Sequence, residues 1–579
     1  MPRHSVHSLV LETFIYTLPF SRPSSPLFYL FTFTLQAMSG NMNTDIKVSN
    51  GSPPGEEQAS QVVGPINRLP VELLLSIFEF TTFSPPDSTA PWRLMRICKS
   101  WRRIVTSHPL LWTTIVINNY SAYPDGFIEM GAFSAFPVPM AYLHYSSPLP
   151  VNIYVSVRGM PRPNIPFTRT HAGVLSHIFR RFSYRIRTMC FSFDSWEFYG
   201  LLTEGLTLVQ MPILIRWEAQ YITDPRAIFH EDFPESKNLD CCFASAALTA
   251  GTTQKPEVVS RGISLYPNLR YLNLMSTPMS WDMFCPSNLI ELHIHRLPLQ
   301  YRPHPNQLRQ ILEFSQDTLQ VLELSGTVFQ NHAFDSPLTM SRVHTLKIGF
   351  SLAEELQCLF PQLLLPALTS LEVNNLDRKS TWFGRPPEDM VQAAIAAFEV
   401  LAGCLPLDQL KHLRLDCITF QLPRNKLLSA GQEHVSFLFL NKLTSLTSLS
   451  LYSPDVITLG CMSDFPDILP ALKVLKISTP GVNYYEHILS FWQERARMRA
   501  CTILECFELT LPVCAKEKAE AIVQRDEVFA KKVVLRYQPD LHPPLWMLED
   551  DRMEDDDADE MDDEEMYELE GDIDEMDED

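Results

Sequence analysis

Apolar residues along the chain keep two rhythms, and the change from one to the other marks its main division. Between Ile66 and Trp112 the spacing is helical. Leu73, Leu74, Ile77 and Phe78 form a stripe that Leu75 and Phe80 broaden, so this short predicted helix needs cover on more than one side. Pro70 stands at its start, where a helix tolerates a missing N–H because the first turn leaves its amides unpaired. Three prolines between Ser84 and Pro91 break the helix. A second predicted helix carries Leu94, Ile97, Cys98, Trp101, Ile104 and Val105 on one face. Arg93, Arg96, Lys99, Arg102 and Arg103 fall largely on the other. His108-Pro109 ends it, and Leu110, Leu111 and Trp112 add a last apolar turn. A unit of about 50 residues is small for a self-sufficient core, which points to a partner.

Farther on the rhythm changes to that of strands. Val151, Ile153, Val155 and Val157 alternate with other residues, as a half-buried strand does. A template then recurs: an apolar residue, two variable ones, an apolar residue, one variable, an apolar residue. Its copies are Leu269-Leu272-Leu274, Leu289-Leu292-Ile294, Leu319-Leu322-Leu324, Val343-Leu346-Ile348 and Leu368-Leu371-Val373. Four more are Leu410-Leu413-Leu415, Leu446-Leu449-Leu451, Leu472-Leu475-Ile477 and Leu504-Phe507-Leu509. Weaker copies stand at Ile186-Met189-Phe191 and Leu208-Met211-Ile213. Each copy predicts a strand whose apolar edge is buried only when a neighbour stacks on it. Successive starts lie 20 to 42 residues apart, so the period is loose. A helix is expected over 515–532 and a last strand over 533–537.

The third, fifth and seventh template positions point away from the core and line an open face. They hold Tyr271, Asn273, Met275, Glu291, His293, His295, Glu323, Lys347, Glu372, Asn374, His412, Arg414, Asp416, Tyr452 and Lys476. Mixed charge with occasional tyrosine suits a protein partner better than a small-molecule pocket, although the same residues also suit a merely solvated face.

Charge is concentrated at one end. Of 68 acidic residues, 21 lie between Glu549 and Asp579 beside one basic residue, Arg552. The rest of the chain balances 46 basic against 47 acidic residues. A neutral body gives no extended basic surface for nucleic acid, and none is expected to bind. Residues 547–579 are expected to be a disordered acidic tail.

Residues 39–64 read as a polar linker. Ahead of them, Leu27–Leu35 is an apolar run of nine residues, whereas a membrane helix needs about 20, so no membrane span is expected. A signal peptide is the second reading, weakened by Glu12, Pro19, Pro23 and Pro26. A chain starting at Met38 or Met42 is the third and preferred one. Twelve cysteines without a CxxC pair suit a reducing compartment, cytoplasm and/or nucleus.

Catalytic chemistry is sparse. The sequence has no phosphate-cradling glycine loop, zinc-protease helix or GxSxG turn. His293 and His295 alternate with Glu291 on one predicted strand face, where a metal or acid–base site competes with a solvated face. No further ligand is placed beside them by the sequence, so the solvated face is preferred. Cys417 follows Asp416 without an assignable histidine base. No enzyme activity, metal or cofactor is expected.

Two stretches carry a resemblance. INRLPVELLLSIFEF followed by LMRICKSWRRIVTSHPLLWTTI resembles an F-box, through Leu69-Pro70 with Glu72, Ile77-Phe78, Cys98-Lys99-Ser100-Trp101-Arg102 and Pro109-Leu110-Leu111-Trp112. The resemblance implies docking to the Skp-type adaptor of a cullin-based (SCF) ubiquitin ligase, the rest of the chain selecting a protein substrate. A non-degradative scaffold is the alternative. Adaptor contacts are expected from Leu69, Pro70, Leu73, Leu74, Ile77, Phe78, Leu94, Ile97, Cys98, Trp101, Ile104 and Trp112. The strand template resembles the divergent leucine-rich repeats of fungal F-box proteins. It departs from regular repeats in lacking the Asn or Cys that comes after the template, where Thr277, Leu297 and Thr327 stand instead. The expected fold class is an α/β repeat: a short all-α F-box at 65–115, then an irregular leucine-rich-repeat-like solenoid. Its early irregular part spans 116–262 and its main array 263–546, with 1–64 as disordered leader and linker.

Overall fold

The structure is a computed structural model that describes residue 66 and, with breaks, residues 69–538; the longest breaks are 119–134, 158–167, 223–264, 377–387 and 419–434. The leader and linker expected over 1–64 and the acidic tail expected over 547–579 lie outside the described residues. The chain divides between Leu69 and Pro70. In the first unit the Leu69 amide donates to the Ile66 carbonyl at 3.2 Å. The rest of the fold belongs to the second.

That unit opens with α1 (Val71–Phe83), α2 (Ala90–Ile97), α3 (Lys99–Thr106) and a 3-10 turn at Pro109–Trp112. Where sequence periodicity predicts one second helix, there are two. Cys98 is extended, at φ −157° and ψ 168°, and its Sγ accepts the Trp101 amide at 3.4 Å, which caps α3. The core between the helices is aromatic. Phe78 and Trp101 meet with ring centroids 4.7 Å apart, and Trp92 meets the Trp112 edge at 5.4 Å. The Trp112 indole N–H donates to the Val105 carbonyl at 2.9 Å, which satisfies the one polar atom of a fully buried ring.

Among the described residues the chain then forms sixteen strands. The first eight are β1 (Thr114–Asn118), β2 (Val151–Val157), β3 (Ile186–Phe193), β4 (Arg216–Tyr221), β5 (Tyr271–Met275), β6 (Glu291–His295), β7 (Val321–Ser325) and β8 (Leu338–Thr339). Then come β9 (Thr345–Phe350), β10 (Leu363–Leu364), β11 (Ser370–Asn375), β12 (His412–Asp416), β13 (Ser448–Tyr452), β14 (Val474–Ser478), β15 (Cys506–Pro512) and β16 (Val533–Gln538). Fourteen of them form one sheet whose spatial order is their chain order, while β8 and β10 pair with each other. Every pairing among them is parallel. Parallel neighbours need a crossover. Most crossovers contain a helix, for example α4 (Pro137–Tyr145) between β1 and β2 and α5 (Arg169–Phe182) between β2 and β3.

All nine strong template copies fall on strands β5–β7, β9 and β11–β15, and none of their apolar positions is more than 4% exposed. Intervening residues are mostly half-exposed, as in the alternating pattern of β5, β6 and β13. One sheet face is therefore core and the other open. The segment read as irregular supplies β1–β4 to the same sheet, with one register shift, between Val151 and Asn152.

Leu208-Met211-Ile213 is corrected by the structure. The strand lies later, at β4, where Trp217 and Ala219 point inward, while Met211 is buried in the turn ahead of it. An alanine carries too little apolar surface to mark a core position in a pattern. The helix expected over 515–532 is two shorter pieces, Lys516–Val523 and Glu527–Ala530.

The looseness of the period is confined to the connectors. Ser276, Arg296, Cys417 and Ser453 each come directly after a strand and have φ between 50° and 56°, and Gly326 has φ 60° at the same place. In each case the amide donates to the neighbouring strand's end, as Ser276 does to the His295 carbonyl at 2.8 Å and Ser453 to Ser478 at 2.7 Å. One extra rung of sheet thus offsets the cost of a left-handed residue, about 1–2 kcal/mol for an L-residue. Thr277, next in line, is fully buried and donates from Oγ1 to the Ala219 carbonyl at 3.0 Å. Leu297 fills the same place with an apolar side chain.

Buried arginines hold two connectors. Arg185 donates to the Leu143 and Leu149 carbonyls and to Ser146 Oγ, at 2.7–3.0 Å. Arg495 donates to the Ile468 and Leu469 carbonyls at 3.0 and 2.7 Å. Each guanidinium collects carbonyls that helix ends and turns leave unpaired.

Candidate functional site

Two surfaces emerge from this architecture. The first is on the helices. On α1, Leu74, Phe78 and Thr82 are spaced four apart and buried. Leu73, Ile77 and Phe80 form a second stripe about 100° around the helix. Leu73 is 53% exposed, Phe80 42%, and Ile77 half-buried. Pro70 and Val71 are also exposed, as are Ile97 at the end of α2 (54%) and Leu110 in the 3-10 turn. The basic residues Arg96, Lys99, Arg102 and Arg103 are exposed too.

The twelve residues expected to touch an adaptor therefore separate into two groups. Leu74, Phe78, Leu94, Trp101 and Trp112 are buried within the chain. They build the helical unit and leave little surface for a partner. Pro70, Leu73 and Ile97 are exposed, and Leu69, Ile77, Cys98 and Ile104 are half-buried. Cys98 acts as the cap of α3. Sequence spacing merges these groups because both stripes of α1 are apolar.

The helical unit is also joined to the start of the sheet. Trp112 packs on Tyr142 and Tyr145 of α4, with centroids at 4.9 and 4.7 Å, and β1 begins two residues after it.

The second surface is the open face of the sheet. Strand register places Asn273, His293, Glu323, Lys347, Glu372, Arg414, Ser450, Lys476 and Glu508 on one continuous row. Tyr271 and Glu291 lie on the row to one side; His295, Asn374, Asp416 and Tyr452 lie on the row to the other. The sequence assigns these residues to one face, and register says which of them meet.

They meet largely in pairs of opposite charge. Lys347 Nζ lies 3.3 Å from Glu323, and Arg414 lies 3.3 Å from Glu372 and 3.5 Å from Asp416. The Arg414 guanidinium also covers the Tyr452 ring, 4.1 Å from its centroid. Lys476 is 3.4 Å from Glu508, which Arg536 also contacts. Asp416 is buried, and His412 is exposed.

The tightest cluster is on β6 and β7. His293 Nδ1 lies 2.6 Å from Glu323 Oε2, and His293 Nε2 lies 3.3 Å from Glu291 Oε2. His295 Nδ1 is 3.5 Å from Glu323 Oε1. Burial favours neutral His295, lowering its pKa to about 4 against the pull of Glu323. Burial acts to raise Glu323, but the His293 hydrogen bond and the pull of His295 and Lys347 outweigh it and hold the carboxyl at about 2. The expectation that no further ligand stands beside the two histidines is thus corrected. Glu323 does, because it occupies in its copy the place that His293 occupies in the preceding one. That shared place was the available signal; a loose period hid that the copies are adjacent.

Cys417 is half-buried, and its thiol lies 3.3 Å from Asp416 Oδ1. Among the described residues no helix is long and apolar enough to cross a membrane.

Against this geometry the comparison with known families is specific. Residues 66–118 match the family described as F-box-like, a span that covers α1–α3, the 3-10 turn and β1. The chain carries an F-box-like domain, and domains of this class generally bind Skp-type adaptors of cullin ligases. No curated protein matches the chain.

Proposed function

We propose that the protein is the substrate receptor of an SCF-type ubiquitin ligase. Its F-box-like domain docks on the Skp-type adaptor, and a leucine-rich-repeat-like array, of the divergent kind found in fungal F-box proteins, captures a protein substrate on its open face. The receptor does no bond chemistry and needs no cofactor. It raises the effective concentration of substrate beside the transferring subunits. It works in the cytoplasm and/or nucleus and touches neither membrane nor nucleic acid.

The observation that carries the reading is the coincidence of the F-box-like match with apolar residues left exposed on the same helices. Among the described residues Leu73 and Ile97 lie outside the core, and a docked partner would bury them. The open face supports the second half of the reading: it is long, polar and dotted with the Tyr and Arg residues that anchor protein interfaces.

Affinity capture of the chain from cells, with and without proteasome inhibition, tests this. Adaptor and cullin should be recovered in both conditions. A substrate should accumulate on the receptor only when degradation is blocked, and should be lost when Arg414 and Tyr452 are both changed to Ala. Recovery without adaptor would sink the reading, and adaptor without any accumulating protein would turn it into a scaffold.

A further inference from the structure

We propose that His293, His295 and Glu323 bind a divalent transition metal of the zinc class on the open face of the sheet. Period-two alternation puts both histidines on the same side of β6, with rings nearly parallel at 14° and centroids 6.2 Å apart. Register then sets Glu323 of β7 directly beside His293. One ligand atom from each residue, all lying within 4.8 Å of one another, can be chosen from the three side chains. Both Nδ1 atoms address the same carboxylate, one at each oxygen.

Both ring nitrogens of His293 have a carboxylate partner: Nδ1 lies 2.6 Å from Glu323 Oε2, and Nε2 lies 3.3 Å from Glu291 Oε2. A metal taken between Nδ1 and Glu323 would displace any proton held there and leave the imidazole N–H on Nε2, facing Glu291. Zinc sits about 2.0–2.2 Å from nitrogen and carboxylate oxygen, so side-chain shifts of roughly an ångström would seat it. Glu291 then has the role of the carboxylate that fixes a ligating histidine's tautomer from behind.

The donor set selects the metal. Two imidazoles and a carboxylate suit zinc, and also copper or nickel, whereas magnesium and calcium prefer oxygen alone. Lys347 is the resident competitor, 3.3 Å from Glu323 Oε2. It has somewhere to go, since Glu372 is its register neighbour on the next strand. On the opposite side Asn273, the register neighbour of His293, has a buried amide oxygen without a hydrogen-bond partner among the described residues. The proposal does not depend on the receptor reading.

The test uses the full chain after chelator treatment. Cobalt(II) titration should give visible d–d bands of a nitrogen-containing site at one equivalent, and zinc should quench them. Carboxylates of the acidic C-terminal segment cannot imitate that spectrum. His295→Ala and Glu323→Gln should each weaken zinc by at least 100-fold by calorimetry. Glu291→Gln should cost roughly 10- to 100-fold, the usual effect of a supporting carboxylate. His412→Ala, an exposed histidine elsewhere on the same face, should change nothing. Circular dichroism confirms that each variant is folded, and Glu323→Gln preserves shape should His295→Ala misfold. Absence of the cobalt bands, or zinc affinity unchanged in His295→Ala and Glu323→Gln, would overturn the proposal.

Discussion

Among the described residues the helical unit and the open sheet face are two contrasting surfaces, and they are built on opposite terms. On the helices the inner stripe is satisfied and the outer one is not: Leu73 and Ile97 are more than half exposed, on a unit whose core is already complete. On the sheet the apolar positions of the nine template copies are sealed, and the outer residues pair with one another, as Lys347 does with Glu323 and Arg414 with Glu372. A partner gains affinity on the first surface simply by covering it, at about 25 cal/mol per Å². On the second it must replace existing ion pairs, each worth only about 0–1 kcal/mol where exposed. The first arrangement favours a constant partner and the second a selective one.

Trp112 stands where the two regions join, and its loss is the harshest way to test whether they are separable. The ring is fully buried against Trp92, Tyr142 and Tyr145. Trp112→Ala should cost about 3–5 kcal/mol of stability in a denaturant titration. Since it touches α4 as well as the helices, the first strands should lose hydrogen-exchange protection together with α1–α3. Protection lost only in the helices would show that the regions fold independently.

A smaller effect is expected at Gly326, which sharpens the claim that the repeats share one exit turn. A Cβ there would have φ 60° and would lie 3.1 Å from Leu376 Cδ1. Gly326→Ala should cost about 1–2 kcal/mol. The same substitution at the equivalent Ser453, already a left-handed L-residue, should cost much less.

Least of all should change when a face ion pair is removed. Lys476→Ala breaks the contact with Glu508, and thermal melts should register under about 1 kcal/mol. A large loss would mean that the face network contributes to the fold, and the contrast with the helices would weaken.

Much of this was legible in the residues. The nine template copies gave nine strands, because a parallel strand covered on one face needs only its alternating apolar positions to announce itself. Exits and register were hidden. A left-handed Ser276 or Arg296 has no compositional mark, and Ala219 is too small to stand out as core. On α1, spacing merged two apolar stripes into one broad one and could not say which residues were inward, since Leu73 and Leu74 are chemically alike. At the histidines the strand pattern supplied the pair and missed Glu323, which is 28 residues away from His295 in sequence and adjacent only through register.

The central claim is that the outer stripe of the helices, and not their core, meets the adaptor. Calorimetric titration of the full chain with purified Skp-type adaptor tests it when Leu73→Asp and Ile97→Asp are combined. Both side chains are exposed, so the melting temperature should hold while binding weakens by about 30-fold or more, or roughly 2 kcal/mol. Parental affinity in the double variant, with its fold intact, would contradict the account.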